Sequence, residues 1–320
     1  MKVAPDHPDR VLMEDALKHL HEWESQGRTA TMESVAGALG VDPVRAAAIL
    51  SRLRERRLLT SKGAEFGLNE DGRLYAVQIL RTHRLYETWL ARETSVPATE
   101  WHRQAHAAEH SLPSAAVDAL ADRLNNPRFD PHGDPIPTRE GLLPPAKRIP
   151  LDAWPAGQAA LIDHIEDEPE GLFRRIEALG LRPGMVLRSR PTEAGSFELR
   201  VEGRQVDVVP ELAGMIHLTP LPEDQPDETE VSRLSTLRPG DRAVIRRLSP
   251  ACGGAERRRL LDLGLVPGTP IRCEFSSPFG SPVSYLVRGA LIALRREQAE
   301  RILIESPVPV AGSETQPNPV

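Results

Sequence analysis

Trp101-His102-Arg103-Gln104-Ala105-His106-Ala107-Ala108-Glu109-His110 is the stretch around which the chain is organised. Pro97 ends whatever precedes it, Thr99 offers an N-cap, and the residues that follow are compatible with a helix. On that helix His102, His106, Glu109 and His110 stand at i, i+4, i+7 and i+8 and share one face. Upstream, His83 and Glu87 stand four apart in another helical run. One such histidine is most often a solvated side chain. The set differs, because two imidazoles and a carboxylate converging beside an apolar core need a shared partner. Imidazole and carboxylate suit zinc, iron, nickel or manganese, and the set holds no thiolate that would favour a softer ion.

The bulk composition sets wide bounds. At 320 residues the chain is long enough for three or four domains. No apolar run is long enough to span a bilayer, and Met1-Lys2-Val3-Ala4-Pro5 begins no signal peptide, so a cytoplasmic protein without membrane insertion is expected. Cys252 and Cys273 are the only cysteines, which implies no disulfide framework. The net charge of −6 excludes no partner, because a basic face can be local.

Residues 9–25 read as an amphipathic helix with Leu12, Ala16, Leu20 and Trp23 in register and Asp15 near its start. Thr31 can cap a second helix, Met32 to Leu39, that ends at Gly40. Asp42-Pro43 is an N-cap followed by proline at the first helical position, opening a third helix from Val44 to about Arg57. Residues 58–60 and 66–68 flank a polar turn and read as a hairpin, so the module is expected to be a winged helix-turn-helix. The third helix carries Arg45, Arg52, Arg54, Arg56 and Arg57, and a basic helix there suits phosphate contacts. Ala46-Ala47-Ala48 is expected to face base edges, where alanine can touch a thymine methyl but cannot hydrogen-bond. Asn69 caps a long helix that carries His83 and Glu87 to about Arg92. Ser111, with Pro113 in the first turn, opens another helix whose stripe Val117, Leu120 and Leu124 is either internal core or a dimer seam. Residues 125–145 are loop.

The second half contains a repeat. Leu179-Gly180-Leu181-Arg182-Pro183-Gly184 recurs as Leu263-Gly264-Leu265-Val266-Pro267-Gly268, each preceded by a short helix and followed by two strand-like runs. Gly203 and Gly289 mark matching tight turns. Two small β-barrels in tandem follow, joined by an acidic, proline-rich linker at 222–228 and trailed by a disordered tail.

With these motifs in view, residues 10–145 resemble the diphtheria-toxin-repressor family of iron- and manganese-responsive transcriptional regulators. Met13-Glu14-Asp15 resembles its helix-one ligand segment in the manganese branch, and His83-Arg84-Leu85-Tyr86-Glu87 its H-R-L-x-E. The run from His102 to His110 resembles its H-x3-C-x2-E-H, and Asn126-Pro127, Gly133, Pro135-Ile136-Pro137 and Gly141 resemble its S-P-x-G-x-P-I-P loop. Both barrels resemble the SH3-like domain of that family and the FeoA-type domain of ferrous-iron transport. The resemblance implies a multidomain α+β chain. Residues 1–80 would be a winged helix-turn-helix domain and 81–148 a helical metal-binding and dimerisation domain. Residues 149–221 and 232–306 would be two SH3-like, FeoA-type barrels, with the tail at 307–320.

By the same resemblance, Asp15, His106, Glu109 and His110 would form a primary metal site, and His83, Glu87 and His102 an ancillary one. Glu168 of the first barrel would reach back to the ancillary site. Position 106 is histidine where the iron branch has cysteine and the manganese branch glutamate. Position 18 is lysine where the manganese branch offers a carboxylate. Arg45, Ala47, Ala48, Arg52 and Lys62 would meet DNA, with Ala47 and Ala48 replacing polar residues that the family turns toward bases. The implied cofactor is Fe2+ or Mn2+, with Zn2+, Co2+ or Ni2+ also expected to bind in vitro. The implied partners are a palindromic double-stranded operator, a second copy of the chain, and a protein that meets the second FeoA-type domain. No nucleophile or general base accompanies the ligand set, so no enzyme is expected. The competing expectation is a non-DNA-binding adaptor of a ferrous-iron transporter.

Overall fold

The structure is a computed structural model and describes residues 8–144 and 148–307. The chain divides into two units, residues 1–91 with 96–146, and residues 92–95 with 147–320. In the first, α1 (Pro8–Ser25) buries Met13, Ala16, Leu17 and Leu20, a stripe at i, i+3, i+4 and i+7. The strand β1 (Ala30–Thr31) leads into α2 (Met32–Leu39), where Thr31 and Ser34 cap each other reciprocally and Gly40 ends the helix at φ 61°. Then α3 (Pro43–Glu55) opens with the Asp42 carboxylate accepting from the Arg45 amide at 2.9 Å. The hairpin β2 (Leu59–Lys62) and β3 (Glu65–Leu68) completes a three-stranded sheet in the order β1-β3-β2. Val35, Ile49, Leu50 and Leu53 pack on α1, so the local caps and one shared core define the winged helix-turn-helix.

The long α4 (Glu70–Glu93) is capped by Asn69, whose Oδ1 accepts from the Gly72 amide at 2.8 Å. Gly72 is required there, since a Cβ would lie 2.0 Å from the Leu58 carbonyl oxygen. Next come α5 (Trp101–Glu109) and α6 (Ser114–Arg123). Neither expected cap forms. Residues 98–100 make a 3-10 turn, and the Trp101 indole donates to the Val96 carbonyl at 2.9 Å, so the chain enters α5 without using Thr99. The Ser111 hydroxyl donates backwards to the Ala108 carbonyl, and α6 starts after Pro113. Val117 and Leu124 of the apolar stripe pack with Leu85 and Ile136 as internal core.

The second unit holds the repeat. Its first half runs β4 (Ile149–Pro150), β5 (Ala159–Ile165), α7 (Glu170–Ala178), β6 (Val186–Pro191), β7 (Phe197–Val201), β8 (Arg204–Val208), α8 (Pro210–Ala213) and β9 (Ile216–Pro220). The second half runs β10 (Ser232–Arg233), β11 (Arg242–Leu248), α9 (Gly254–Asp262), β12 (Pro270–Ser276), β13 (Val283–Val287), β14 (Ala290–Leu294), α10 (Arg296–Ala299) and β15 (Ile302–Ile304). The sheet orders, β4-β9-β5-β6-β7-β8 and β10-β15-β11-β12-β13-β14, match element for element. The central strands β5 and β11 were not expected from the sequence. Glu202-Gly203 and Arg288-Gly289 both take positive φ at two successive residues, as a two-residue hairpin demands.

The expected linker is ordered at its C-terminal end. Asp227 accepts from the Thr229 hydroxyl at 2.7 Å, and buried Glu228 pairs with Arg246 at 2.9 Å and Arg247 at 2.5 Å. The expected tail lies, from Val308 onward, outside the described residues. Among the described residues no single helix is long and apolar enough to cross a membrane.

Candidate metal centre and nucleic-acid interface

The amphipathic stripe of α1 turns Asp15 toward the histidine face of α5. Asp15, His106, Glu109 and His110 each bring one donor atom into a group whose members all lie within 4.8 Å of one another. Glu109 Oε1 stands 3.2 Å from His106 Nδ1 and 3.4 Å from His110 Nε2, and His110 Nε2 stands 3.3 Å from Asp15 Oδ1. A tetrahedral ion about 2.0–2.2 Å from its nitrogen and oxygen ligands spaces them by about 3.3 Å. Asp15 Oδ1 and His110 Nε2 are buried, face each other, and make no hydrogen bond among the described residues. Two buried, orphaned donor atoms at ligand spacing fit a divalent ion.

His83 and Glu87 of α4 and His102 of α5 form a second group. His83 Nε2 is 3.1 Å from Glu87 Oε1, and His102 Nδ1 is 3.8 Å from the same oxygen. His83 also reaches the other group, with Nδ1 2.6 Å from Glu109 Oε2, so one imidazole stands between the two. Glu168 lies in the other unit, exposed, just ahead of α7.

Three further residues take part, in roles that the sequence reading did not assign to them. Glu14 Oε2 accepts from His110 Nδ1 at 2.7 Å and so aims Nε2 into the group. Glu14 is itself held by Arg10 at 2.8 Å and by the Tyr75 hydroxyl. Lys18 Nζ donates to Glu109 Oε1 at 2.7 Å, the oxygen nearest both His106 and His110. His132 Nε2 lies 4.0 Å from Glu87 Oε1, with its ring against Trp101. Glu14 adjoins Asp15 in sequence, and neighbouring helix positions point in different directions. Only one of the pair can enter the group, and no spacing rule marks the other as its support.

Burial alone would lower His83, but Glu87 and Glu109 outweigh it and hold it up at about 9. Burial likewise opposes charge on His110, yet Asp15, Glu14 and Glu109 hold it up to about 9. Burial raises the Glu109 carboxyl, and His106, His83 and Lys18 together more than reverse that and push it well below the usual range. The carboxylates thus hold both imidazoles in the protonated form, and a divalent ion bound there would displace those protons.

On the helix-turn-helix, Arg45 and Arg52 of α3 both pair with Asp9 in the first turn of α1. Arg52 first, with Arg45, holds the Asp9 carboxyl below its usual value. Ala47 and Ala48 are exposed, but Ala46, expected beside them, is fully buried against the helix-turn-helix core. Its place on the exposed face is taken by Val44, which is 80% exposed and lies three and four residues before Ala47 and Ala48. Lys62 ends β2 opposite Glu65 and is exposed.

Residues 69–138 match the model of the iron-dependent repressor metal-binding and dimerisation domain, and residues 149–220 and 232–306 each match the FeoA domain. Over residues 69–138 the chain is thus similar to the iron-dependent repressors, and over both barrels to FeoA proteins. The iron-dependent repressor IdeR of Mycobacterium tuberculosis is 26% identical over 208 residues, 61% of this chain and 90% of that protein. A solved manganese-dependent transcriptional repressor in complex with manganese is 27% identical, covers 65% of this chain and 99% of its own, and superposes with a TM-score of 0.59. A ferrous-iron transport fusion protein of Porphyromonas gingivalis is 40% identical over 73 residues, 23% of this chain and 8% of that protein. Two FeoA domains therefore follow the repressor-like domain in this chain.

Proposed function

We propose that the chain is a divalent-metal-dependent transcriptional repressor that binds an operator as a homodimer in the cytoplasm, and is not an enzyme. The observation that carries the reading is the facing pair Asp15 Oδ1 and His110 Nε2, buried and orphaned at 3.3 Å. A shared ion there would tie α1, which packs on the recognition helix, to α5 of the dimerisation region. Asp15, His106, Glu109 and His110 are proposed as the first ligand set. His83, Glu87, His102 and, from the first barrel, Glu168 are proposed as the second. Fe2+ and Mn2+ are the proposed effectors, since nitrogen and oxygen donors without thiolate suit both. Residues 1–80 would read DNA, 81–148 would bind metal and dimerise, and 149–221 and 232–306 would be the two barrels.

DNA contact is assigned to Arg45, Arg52 and Lys62 at phosphates and to Ala47 and Ala48, with Val44, at thymine methyls. Two recognition helices related by a dimer axis require palindromic half-sites one helical turn or a multiple apart. The adaptor reading draws on the alanine-rich face and the FeoA likeness, but leaves the orphaned pair and the capped helix-turn-helix unused. The test is binding to genomic DNA fragments with and without Mn2+ or Fe2+. Affinity should require the metal, and Glu109→Ala or His110→Ala should abolish it while the protein remains a folded dimer. Equal affinity in a chelator would overturn the reading.

A further inference from the structure

The first barrel carries a third group of donors of its own. His164 lies on β5 and Glu166 follows that strand, while His217 lies on β9. Register places the two histidines together. Ile162 pairs with Leu218, but the next partner of β9 residue His217 is His164, so Asp163 is the extra residue of a bulge. Without the bulge His164 would lie opposite Ile216 and away from His217. The Glu166 amide keeps the ladder by donating to the Met215 carbonyl at 2.9 Å, which leaves Glu166 on the same face as His164. His164 is buried, His217 partly so, and Glu166 is half exposed.

Both imidazoles aim at one carboxylate oxygen. Glu166 Oε1 is 3.3 Å from His164 Nε2 and 3.2 Å from His217 Nε2, and the rings lie 5.3 Å apart. Charge-assisted hydrogen bonds close to about 2.7–2.9 Å. The tightest histidine–carboxylate hydrogen bonds of this chain reach 2.6 Å at His83–Glu109 and 2.7 Å at His110–Glu14, while the pairs inside the two helical donor groups, His83–Glu87 and His106–Glu109, stand at 3.1 and 3.2 Å. The Glu166 spacings are those of ligands on the edges of a coordination tetrahedron, about 3.3 Å.

The second barrel is an internal control. It has the same bulge, with Ile245 paired to Ile304 and Arg247 to Leu303, and the Ser249 amide donating to the Arg301 carbonyl. The positions of His164, His217 and Glu166 are there Arg247, Leu303 and Ser249. The barrel and its bulge therefore form without any ligand-type residue at these places, and the three donors of the first barrel answer to something other than the fold.

The geometry points to a divalent transition-metal site at His164, Glu166 and His217, distinct from the two donor groups of the helical unit. Two imidazoles and one carboxylate supply three ligands, and the half-exposed side of Glu166 leaves the fourth position to water. Nitrogen-rich ligation with an open position favours Zn2+, and Co2+ as its spectroscopic substitute, over Mn2+.

The test uses the full chain titrated with Co2+, read by bound equivalents after desalting and by the visible absorption of four-coordinate Co2+. A Glu87→Gln/Glu109→Gln/His110→Gln chain removes ligands of both helical groups and leaves the barrel intact. It should still bind one equivalent with that absorption. Adding Glu166→Gln and His217→Gln should remove this equivalent and the absorption, with an unchanged circular dichroism spectrum. His217→Gln alone, at a partly exposed position, should weaken it at least tenfold. Equal stoichiometry with and without the barrel substitutions would show that the trio is only a hydrogen-bonded cluster and would overturn the site. Loss of the helical equivalents bears on the repressor reading alone, because the barrel equivalent is counted separately.

Discussion

Lys18 is the residue whose charge most directly opposes a metal at the first donor group. Its ammonium sits 2.7 Å from Glu109 Oε1, the oxygen that faces His106 and His110. A bound cation and this ammonium compete for one carboxylate. Lys18→Met should therefore tighten Mn2+ and Fe2+ binding at that group, and Lys18→Glu should tighten Mn2+ most, since added oxygen donors suit the harder ion. Calorimetric titration checks both, and weaker Mn2+ binding by the Met variant would show that Lys18 supports the site. Glu14 acts the other way. Because it accepts from His110 Nδ1, Glu14→Gln should lower metal affinity about tenfold through a less basic, less firmly aimed imidazole. An unchanged affinity would reduce Glu14 to a core ion pair with Arg10 and Tyr75.

At the scale of elements, α1 and α3 share a contact that the sequence does not announce. Asp9 opens α1 and neutralises Arg45 and Arg52, the two arginines best placed for phosphates. Asp9→Asn should free them, raise DNA affinity, and steepen the salt dependence of binding by about 0.9 for each further phosphate neutralised. Filter binding across a salt series reads the slope, and an unchanged slope would mean that the pair already engages DNA with Asp9 in place. The elements themselves were largely legible: α2 and α3 announce their ends through Thr31, Gly40, Asp42 and Pro43, and the tandem repeat is visible at its Leu-Gly-Leu motif. What escaped was non-local. β5 and β11 hold Asp163 and His164, or Arg246 and Arg247, at their bulges, and these break the alternation that marks a strand. Thr99 and Ser111 have capping chemistry, but the Trp101 indole and the Ala108 carbonyl decide where the helices begin and end. Asp15 and Glu168 came from the family resemblance alone, and the donors of α4 and α5 were legible because helical spacing collects them. Asp9, Glu14 and Lys18 were not, because their partners lie far along the chain.

On the scale of the second unit, one carboxylate holds two barrels together. Glu202 is fully buried, in a left-handed backbone conformation at the β7–β8 turn of the first barrel. It accepts from Arg247 at 3.0 Å and from the Ser249 hydroxyl at 2.7 Å, and it stands 3.3 Å from Arg233, all three belonging to the second barrel. The turn is pressed against the inter-barrel segment so closely that a Cβ on Gly203 would lie 1.9 Å from the Val231 carbonyl oxygen. Breaking a buried pair by removing one partner costs about 3–5 kcal/mol, because the remaining charges stay buried without compensation. Without the Glu202 carboxylate, Arg247 keeps its pair with Glu228, whereas Arg233 falls back on the backbone carbonyls of residues 202 and 300. Glu202→Ala should thus destabilise the barrel pair by about 3 kcal/mol, the lower end of that range. It should also turn one urea transition of the second unit into two, as the barrels unfold separately. Glu202→Ala together with Arg233→Met should recover part of the loss, since the stranded guanidinium is gone. A single transition at the wild-type midpoint in the Ala variant would show that apolar packing, not this carboxylate, couples the two FeoA domains.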